Sequence, residues 1–454
     1  MRDRSRLPLL GAVLVVCGLA LAAPAAPQAC AGDASWVSSP SQPNFAQDPP
    51  TICAFYQYAW QSFLYLTSPA PAGGVLNFET YPMVSDVVPP SSPPPNPCYD
   101  ADERQMNKRR FFDVRDAKLD EFQQAGPGGV LVNQKGMITY YEQFLDPVAA
   151  SFIQSCNLNI ASCATQPAAQ TLQFPAAAIE LKVSWMPMAA GDPNLSKYYT
   201  VPEVTAWNPN ANGGKGACET FDFVGLVGFH LVYTTPHHPE MVWASFEHEA
   251  NAPDGPCTGA TTPPAGYGGW AFNNAASTDC TNVNHWVKGT PPPYPVTQAF
   301  RNWADGGGTS QFVAPVQSIN KSMSGLIPGD SVWQNYFLVG AVWTVGGALP
   351  AVPVGQPGAN EVGNTLLANA TMETFTQFPN PAPTPPPTFP INCFSCHNTT
   401  TSEPQKFQVS HAFNNASQTA SCPYTTQLPA ACQQTQMGST QARKDSSVAP
   451  VASH

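Results

Sequence analysis

Surface helices are faced with Glu, Lys and Arg, and this chain of 454 residues has few of them. Only 11% of its residues are charged, against about a quarter in an average soluble domain. A coiled coil or helix-rich bundle is therefore excluded. Proline points the same way, since its 50 residues are about double the usual share for this length. A disordered chain is excluded in turn, because 43% of residues are hydrophobic and 10 are tryptophan, enough apolar surface to bury a core. What remains is a mainly β chain with a few helices, an α+β class with an antiparallel, loop-rich body stapled by disulfides. The net charge of -11 argues against nucleic acid and anionic membrane surfaces as partners.

The amino terminus predicts export. Met1 to Arg6 carries Arg2, Arg4 and Arg6, an apolar run follows from Leu7 to Leu21, and Ala23-Pro24-Ala25 offers the small residues of a cleavage site. No later stretch reaches the roughly 18 uninterrupted apolar residues of a membrane helix, so no stable membrane span is expected. Loss of Cys17 with the leader leaves 12 of the 13 cysteines, an even number suited to an oxidising, periplasmic or extracellular compartment. Lipidation at Cys30 would strand one cysteine, and Pro27-Gln28 fits that signal poorly. Close spacing favours short disulfide loops at Cys156/Cys163 and Cys422/Cys432, with Cys257/Cys280 a third, while pairing among Cys30, Cys53, Cys98 and Cys218 stays open.

Apolar residues at helical spacing (Phe55, Ala59, Phe63, Leu66) predict a helix over Cys53 to Leu66, stopped by Pro69 and Pro71. Residues 178 to 346 read as strands between turn clusters. Ile179 to Trp185 alternates apolar residues with Glu180, Lys182 and Ser184, the pattern of a half-buried strand. Phe223 to Tyr233 and Met241 to Glu249, apolar on both faces and joined by Thr-Pro-His-His-Pro, predict a central antiparallel hairpin, and Tyr336 to Val345 another buried strand. Leu366 to Phe378 is compatible with a short helix. Arg104 to Arg115 is the one cationic cluster and reads as a solvated face. The organisation expected is a signal peptide (1–25), a β-rich body (26–378), a proline-rich arm (379–392), a segment bearing the motif described next (393–433) and a disordered tail (434–454).

After the arm stands Cys393-Phe394-Ser395-Cys396-His397, the C-x-x-C-H pattern of covalent haem c attachment. Two thiols one helical turn apart can add to the two haem vinyl groups, and the adjacent histidine then lies under the iron as an axial ligand. The alternatives are an ordinary disulfide or a dithiol redox pair, although a thioredoxin-like site needs a strand-then-helix context rather than a proline run. The stretch from His397 to Cys432 is too short to wrap a haem alone, so any haem must be buried partly against the body. For a second iron ligand, His411 lies within about 45 Å of extended chain from His397. Met437, Met372, another histidine and an open position are the other readings. Cys393, Cys396 and His397 are thus candidate cofactor-binding residues, and His397 and His411 candidate metal ligands.

The chain resembles exported bacterial proteins described only as cytochrome c family proteins. The resemblance is carried by the C-x-x-C-H motif together with Ala59-Trp60-Gln61-Ser62-Phe63, Ile179-Glu180-Leu181-Lys182, Val227 to Val232, Val242 to His248 and Leu367 to Glu373. It implies a periplasmic protein with one covalent haem c that transfers electrons to a redox partner protein, and it implies no substrate. A haem-dependent oxidase or peroxidase with an open iron site, and a secreted non-haem binding module, are the rival readings.

His230, Glu247, His248 and Glu249 lie on the two strands of the proposed hairpin. If the register sum is even, both histidines share a face and could hold a metal, a haem propionate or the iron. Otherwise they are core histidines satisfied by neighbours. His237 and His238, in the turn, are expected to be exposed.

Overall fold

The computed structural model describes residues 30–88, 98, 124, 129–303, 305–350, 359–377, 392–398, 407, 409–410, 412–413 and 420–435. The expected signal peptide, the cationic stretch Arg104 to Arg115, the proline arm up to residue 391, the expected tail beyond residue 435, His411 and Met437 lie outside the described residues.

The elements that position the site are, in chain order, α1 (Ile52–Leu66), β1 (Tyr140–Leu145), α2 (Pro147–Ser155), β2 (Ile179–Met188), β3 (Thr200–Asn208), β4 (Ala217–Thr235), β5 (His238–His248), α3 (Ser310–Leu326), β6 (Tyr336–Thr344), β7 (Glu361–Gly363) and the single turn α4 (Cys393–Cys396). The strands form one antiparallel sheet in the order β1-β2-β4-β5-β6-β7, with β3 paired to the first half of β4. The mainly β, disulfide-stapled class expected from composition is what the chain adopts. The hairpin is β4 with β5, as its apolar pattern predicts.

One face of the sheet packs on α1 and α3. The side chain of Thr51 caps α1 by accepting the Ala54 N–H. Phe55, Ala59, Phe63 and Leu66 are buried as their spacing requires. Phe63 stacks on Phe246 at 4.3 Å and Phe55 on Trp343 at 3.9 Å, so the helix is fixed to β5 and β6 by ring contacts. Helix α3, which the strand-dominated reading of 178 to 346 misses, buries Val316, Ile319 and Met323 against the same core.

The other face is covered as well, and this corrects the half-buried reading of Ile179 to Trp185. Every residue of β2 is buried. Glu180, Lys182 and Ser184 meet a second core instead of water, built from α2, the sheet face and the carboxy-terminal segment with Phe394, Phe407, Val409 and Tyr424. Period-two alternation tells which residues share a face, not what lies over that face.

Two disulfides hold that covering segment down, and they correct the local pairings. Cys156 bonds to Cys432 and Cys163 to Cys422, whereas Cys257–Cys280 forms as expected; Cys30–Cys53 and Cys98–Cys218 complete the five. Residues 420–435 lie against 156–168 through bonds from Tyr424 Oη to the Cys156 carbonyl (2.8 Å), Ser162 Oγ to the Ala420 carbonyl (3.0 Å) and the Ala168 N–H to the Thr425 carbonyl (3.2 Å). Each cysteine therefore faces the other segment, and nearness in sequence is irrelevant.

Candidate functional site

The motif forms one helical turn. Asn392 caps it, its side chain accepting the Phe394 N–H at 2.9 Å while Ser395 Oγ accepts the Asn392 N–H at 3.1 Å. The His397 N–H closes the turn on the Cys393 carbonyl at 2.9 Å. This spacing sends Phe394 into the second core, leaves Cys393 half-buried and Cys396 exposed, and lays the His397 ring on the buried Trp243 of β5, with ring centres 4.5 Å apart. Cys393 and Cys396 are free thiols, whereas the other ten described cysteines are all paired.

Beneath the turn runs the segment 364–377, which is not the short helix its apolar spacing allows. It contains only the 3₁₀ turn Thr374–Thr376, because polar side chains take over its backbone bonding. Asn369 Oδ1 accepts from the Thr371 N–H and hydroxyl, and its amide donates to Ser245 Oγ (2.9 Å) and the Phe246 carbonyl (3.0 Å) of β5. Thr371 Oγ1 lies 2.7 Å from Ser184 Oγ. Gly228 of β4 makes this approach possible, since a Cβ there would lie 2.4 Å from Thr371 Oγ1 and 2.6 Å from Ser184 Oγ.

Glu373, just before the 3₁₀ turn of this segment, lies among the charged groups. Its Oε1 is 2.9 Å from His230 Nε2, and its Oε2 accepts the Asn369 N–H at 2.9 Å. Burial alone would raise its carboxyl, but the field of His230 and Lys182 outweighs burial and holds it at about 2. Burial pushes the Cys393 thiol up, and the Glu373 carboxylate raises it and the Cys396 thiol further. Lys182 and Glu180 lie on the same sheet face, Lys182 directly opposite His230, and Glu180 accepts from Ser410 Oγ at 2.6 Å.

Glu180, Lys182, His230, Trp243, Ser245, Asn369, Thr371 and Glu373 thus meet beneath the C-x-x-C-H turn. Residues of β2, β4, β5 and the 367–373 segment supply them. The stretch Ala59 to Phe63 serves the opposite core through Trp60 and Phe63.

The two hairpin histidines are not brought together. Gly228 pairs with Glu247, so the register sum is odd; His230 pairs with Ser245, and His248 falls on the opposite face. His248 stacks on Tyr198 at 3.8 Å, lies 3.1 Å from the Lys197 carbonyl through Nε2, and accepts the Ala250 N–H at Nδ1. It is a satisfied core histidine. Glu247 is also committed, to Arg301 Nε (2.8 Å) and the Ala370 N–H (2.6 Å). In the turn His237 is exposed, but His238 is buried against Phe55 and held by Glu240 at 2.8 Å, a second correction. Met372 is fully buried.

No family model, curated protein or solved structure matches this chain. Among the described residues no group of three or more His, Cys, Asp or Glu is arranged to hold a metal ion, and no helix is long and apolar enough to cross a membrane. A cavity of about 560 Å³ lined by Trp36, Tyr65 and Trp333 adjoins α1 on the opposite face and contains no cysteine, histidine or carboxylate.

Burial pushes His248 down to about 3, which makes stability depend on pH in a definite direction. The unfolded imidazole takes up a proton near pH 6.5, whereas the folded one stays neutral until about pH 3. Its contribution is therefore complete above pH 6.5 and is lost as the pH falls from there towards 3. Relative to His248→Gln, the wild-type protein should lose about 2 kcal/mol of unfolding free energy between pH 7.5 and pH 5. Urea titrations of both proteins at the two pH values measure this, and a constant difference would show that the imidazole titrates normally.

Proposed function

We propose that the C-x-x-C-H turn carries one covalent haem c, held by Cys393 and Cys396 through thioethers and by His397 through the iron, and that the protein is an exported electron carrier working with a redox partner protein. The observation that carries this reading is the pair of free thiols. In a chain whose other ten described cysteines are paired, these two remain available on one turn with an imidazole next in sequence. Five disulfides suit an oxidising, extracytoplasmic compartment, where haem c is assembled.

The donor chemistry fits the group. Thiols one turn apart match two vinyl groups, Phe394 and Trp243 supply an apolar floor, and a buried cationic side chain, Lys182, lies on the same face. Haem bound there would supply a one-electron redox couple. The residues of this chain would orient it: Asn392 and Ser395 hold the turn, Trp243 fixes the plane of the His397 ring, and the covering segment limits water at the site.

A dithiol oxidoreductase is less well supported, because reactive C-x-x-C pairs have a lowered thiol pKa and here both thiols are raised beside the Glu373 carboxylate. A haem enzyme with an open iron site facing His230, Glu247 or His248 is less well supported, because His248 falls on the opposite face and the two groups on the motif side are engaged, His230 by Glu373 and Glu247 by Arg301 and the Ala370 N–H. Intact-mass measurement on protein matured in cells competent for haem c assembly tests the proposal. It should show the chain plus one haem, surviving acid and organic solvent, and a mass equal to the polypeptide alone would sink it.

A further inference from the structure

We infer that Lys182 receives a propionate carboxylate of the haem, an assignment that rests on the haem reading above. Lys182 lies in the middle of β2 and is only 7% exposed. Among the described residues no hydrogen bond or ion pair reaches its ammonium, whose Nζ lies 5.5 Å from the centre of the Tyr141 ring. The two carboxylates whose fields act on it are engaged elsewhere, Glu180 by Ser410 Oγ and Glu373 by His230 and the Asn369 N–H. A largely buried lysine whose ammonium makes no hydrogen bond to a described residue is costly, and proteins keep such a group where it meets an acceptor.

The acceptor follows from the chemistry of the cofactor. One edge of a haem carries the vinyl groups that the thiols take; another carries two carboxylates, which need cationic donors when buried. Lys182 is on the sheet face beneath the turn, and the Glu373 carboxylate acts both on it and on the two thiols. The other buried cation described near β5, Arg301, is bound to Glu247 and Asp254. Lys182 is therefore the cation left for the carboxylate edge.

The test compares Lys182→Met in two forms of the full chain: haem-loaded, and haem-free through Cys393→Ala with Cys396→Ala. In the haem-free form the substitution removes a largely buried ammonium that no described hydrogen bond satisfies and should raise the thermal midpoint by a few degrees, its desolvation outweighing the attraction of Glu180 and Glu373; in the loaded form it strands a carboxylate and should lower the midpoint by a few degrees. Lys182→Arg, which keeps the charge, should hold the loaded form closer to wild type. Shifts of the same sign in both forms overturn the assignment, and so does failure of Lys182→Met to fold in the haem-free form, because the lysine would then serve the fold through Glu180 and Glu373. A wild-type chain that carries no haem overturns this assignment and the haem reading together, whereas normal haem content with shifts of like sign overturns the lysine assignment alone.

Discussion

Cys396→Ala should convert the attachment from two thioethers to one, and the reduced pyridine haemochrome band should move to the red as one vinyl group stays conjugated with the ring. The position of Cys396 makes this a clean experiment. Its side chain is exposed on the outer side of the α4 turn, so the haem-free variant should differ from wild type by no more than about 0.5 kcal/mol in stability. A change in the spectrum can then be assigned to the lost bond rather than to a disturbed fold. Cys393 is the poorer choice for a single substitution because it is partly buried beside the second core. An unaltered wild-type spectrum in the purified variant would show that Cys396 holds no haem, and the assignment of the motif would fail with it.

The second large effect concerns the staples that press the motif-bearing segment onto the sheet. Cys156–Cys432 and Cys163–Cys422 span 276 and 259 residues and run side by side. Their contributions should not add. While one is intact, the other closes only the small ring made by the stretches 156–163 and 422–432, worth about 3 kcal/mol by chain entropy. When it goes as well, a loop of several hundred residues opens and about 5 kcal/mol more should be lost. Denaturant unfolding of the Cys156→Ala/Cys432→Ala pair, the Cys163→Ala/Cys422→Ala pair and the quadruple variant measures this. Each pair should cost clearly less than half of the quadruple loss; a quadruple loss equal to the sum of the two pairs would show that the staples act independently.

What was legible in the sequence depended on local pattern. Helix α1 and the β4–β5 hairpin are encoded by spacing within one stretch, and spacing survives any tertiary arrangement. The burial of Lys182 was not legible, because its strand alternates like any amphipathic strand and the layer that covers it comes from residues more than two hundred positions later. The expected Cys156/Cys163 and Cys422/Cys432 pairings failed for the same reason, as short loops are the natural expectation until the folded path of the chain is known, whereas Cys257–Cys280 formed as its spacing suggested. His230 and His248 show how fine the margin is: a register sum differing by one would have placed both on the same face. The helix expected at Leu366 to Phe378 gave way to Asn369 and Thr371, side chains that compete for backbone bonds at short range. Of the site itself the motif and His230 stood out in the sequence, but Glu180, Lys182 and Glu373 did not, since they come from two further segments outside the motif.

The central claim is that two unpaired thiols and the following imidazole form a haem c site, and the pyridine haemochrome of the wild-type protein matured in haem c-competent cells tests it most directly. The account predicts the spectrum of a haem with both vinyl groups saturated, at one haem per chain, remaining with the polypeptide after acidic organic extraction. A purified protein that shows no haemochrome, or one whose haem is removed by that extraction, would contradict it.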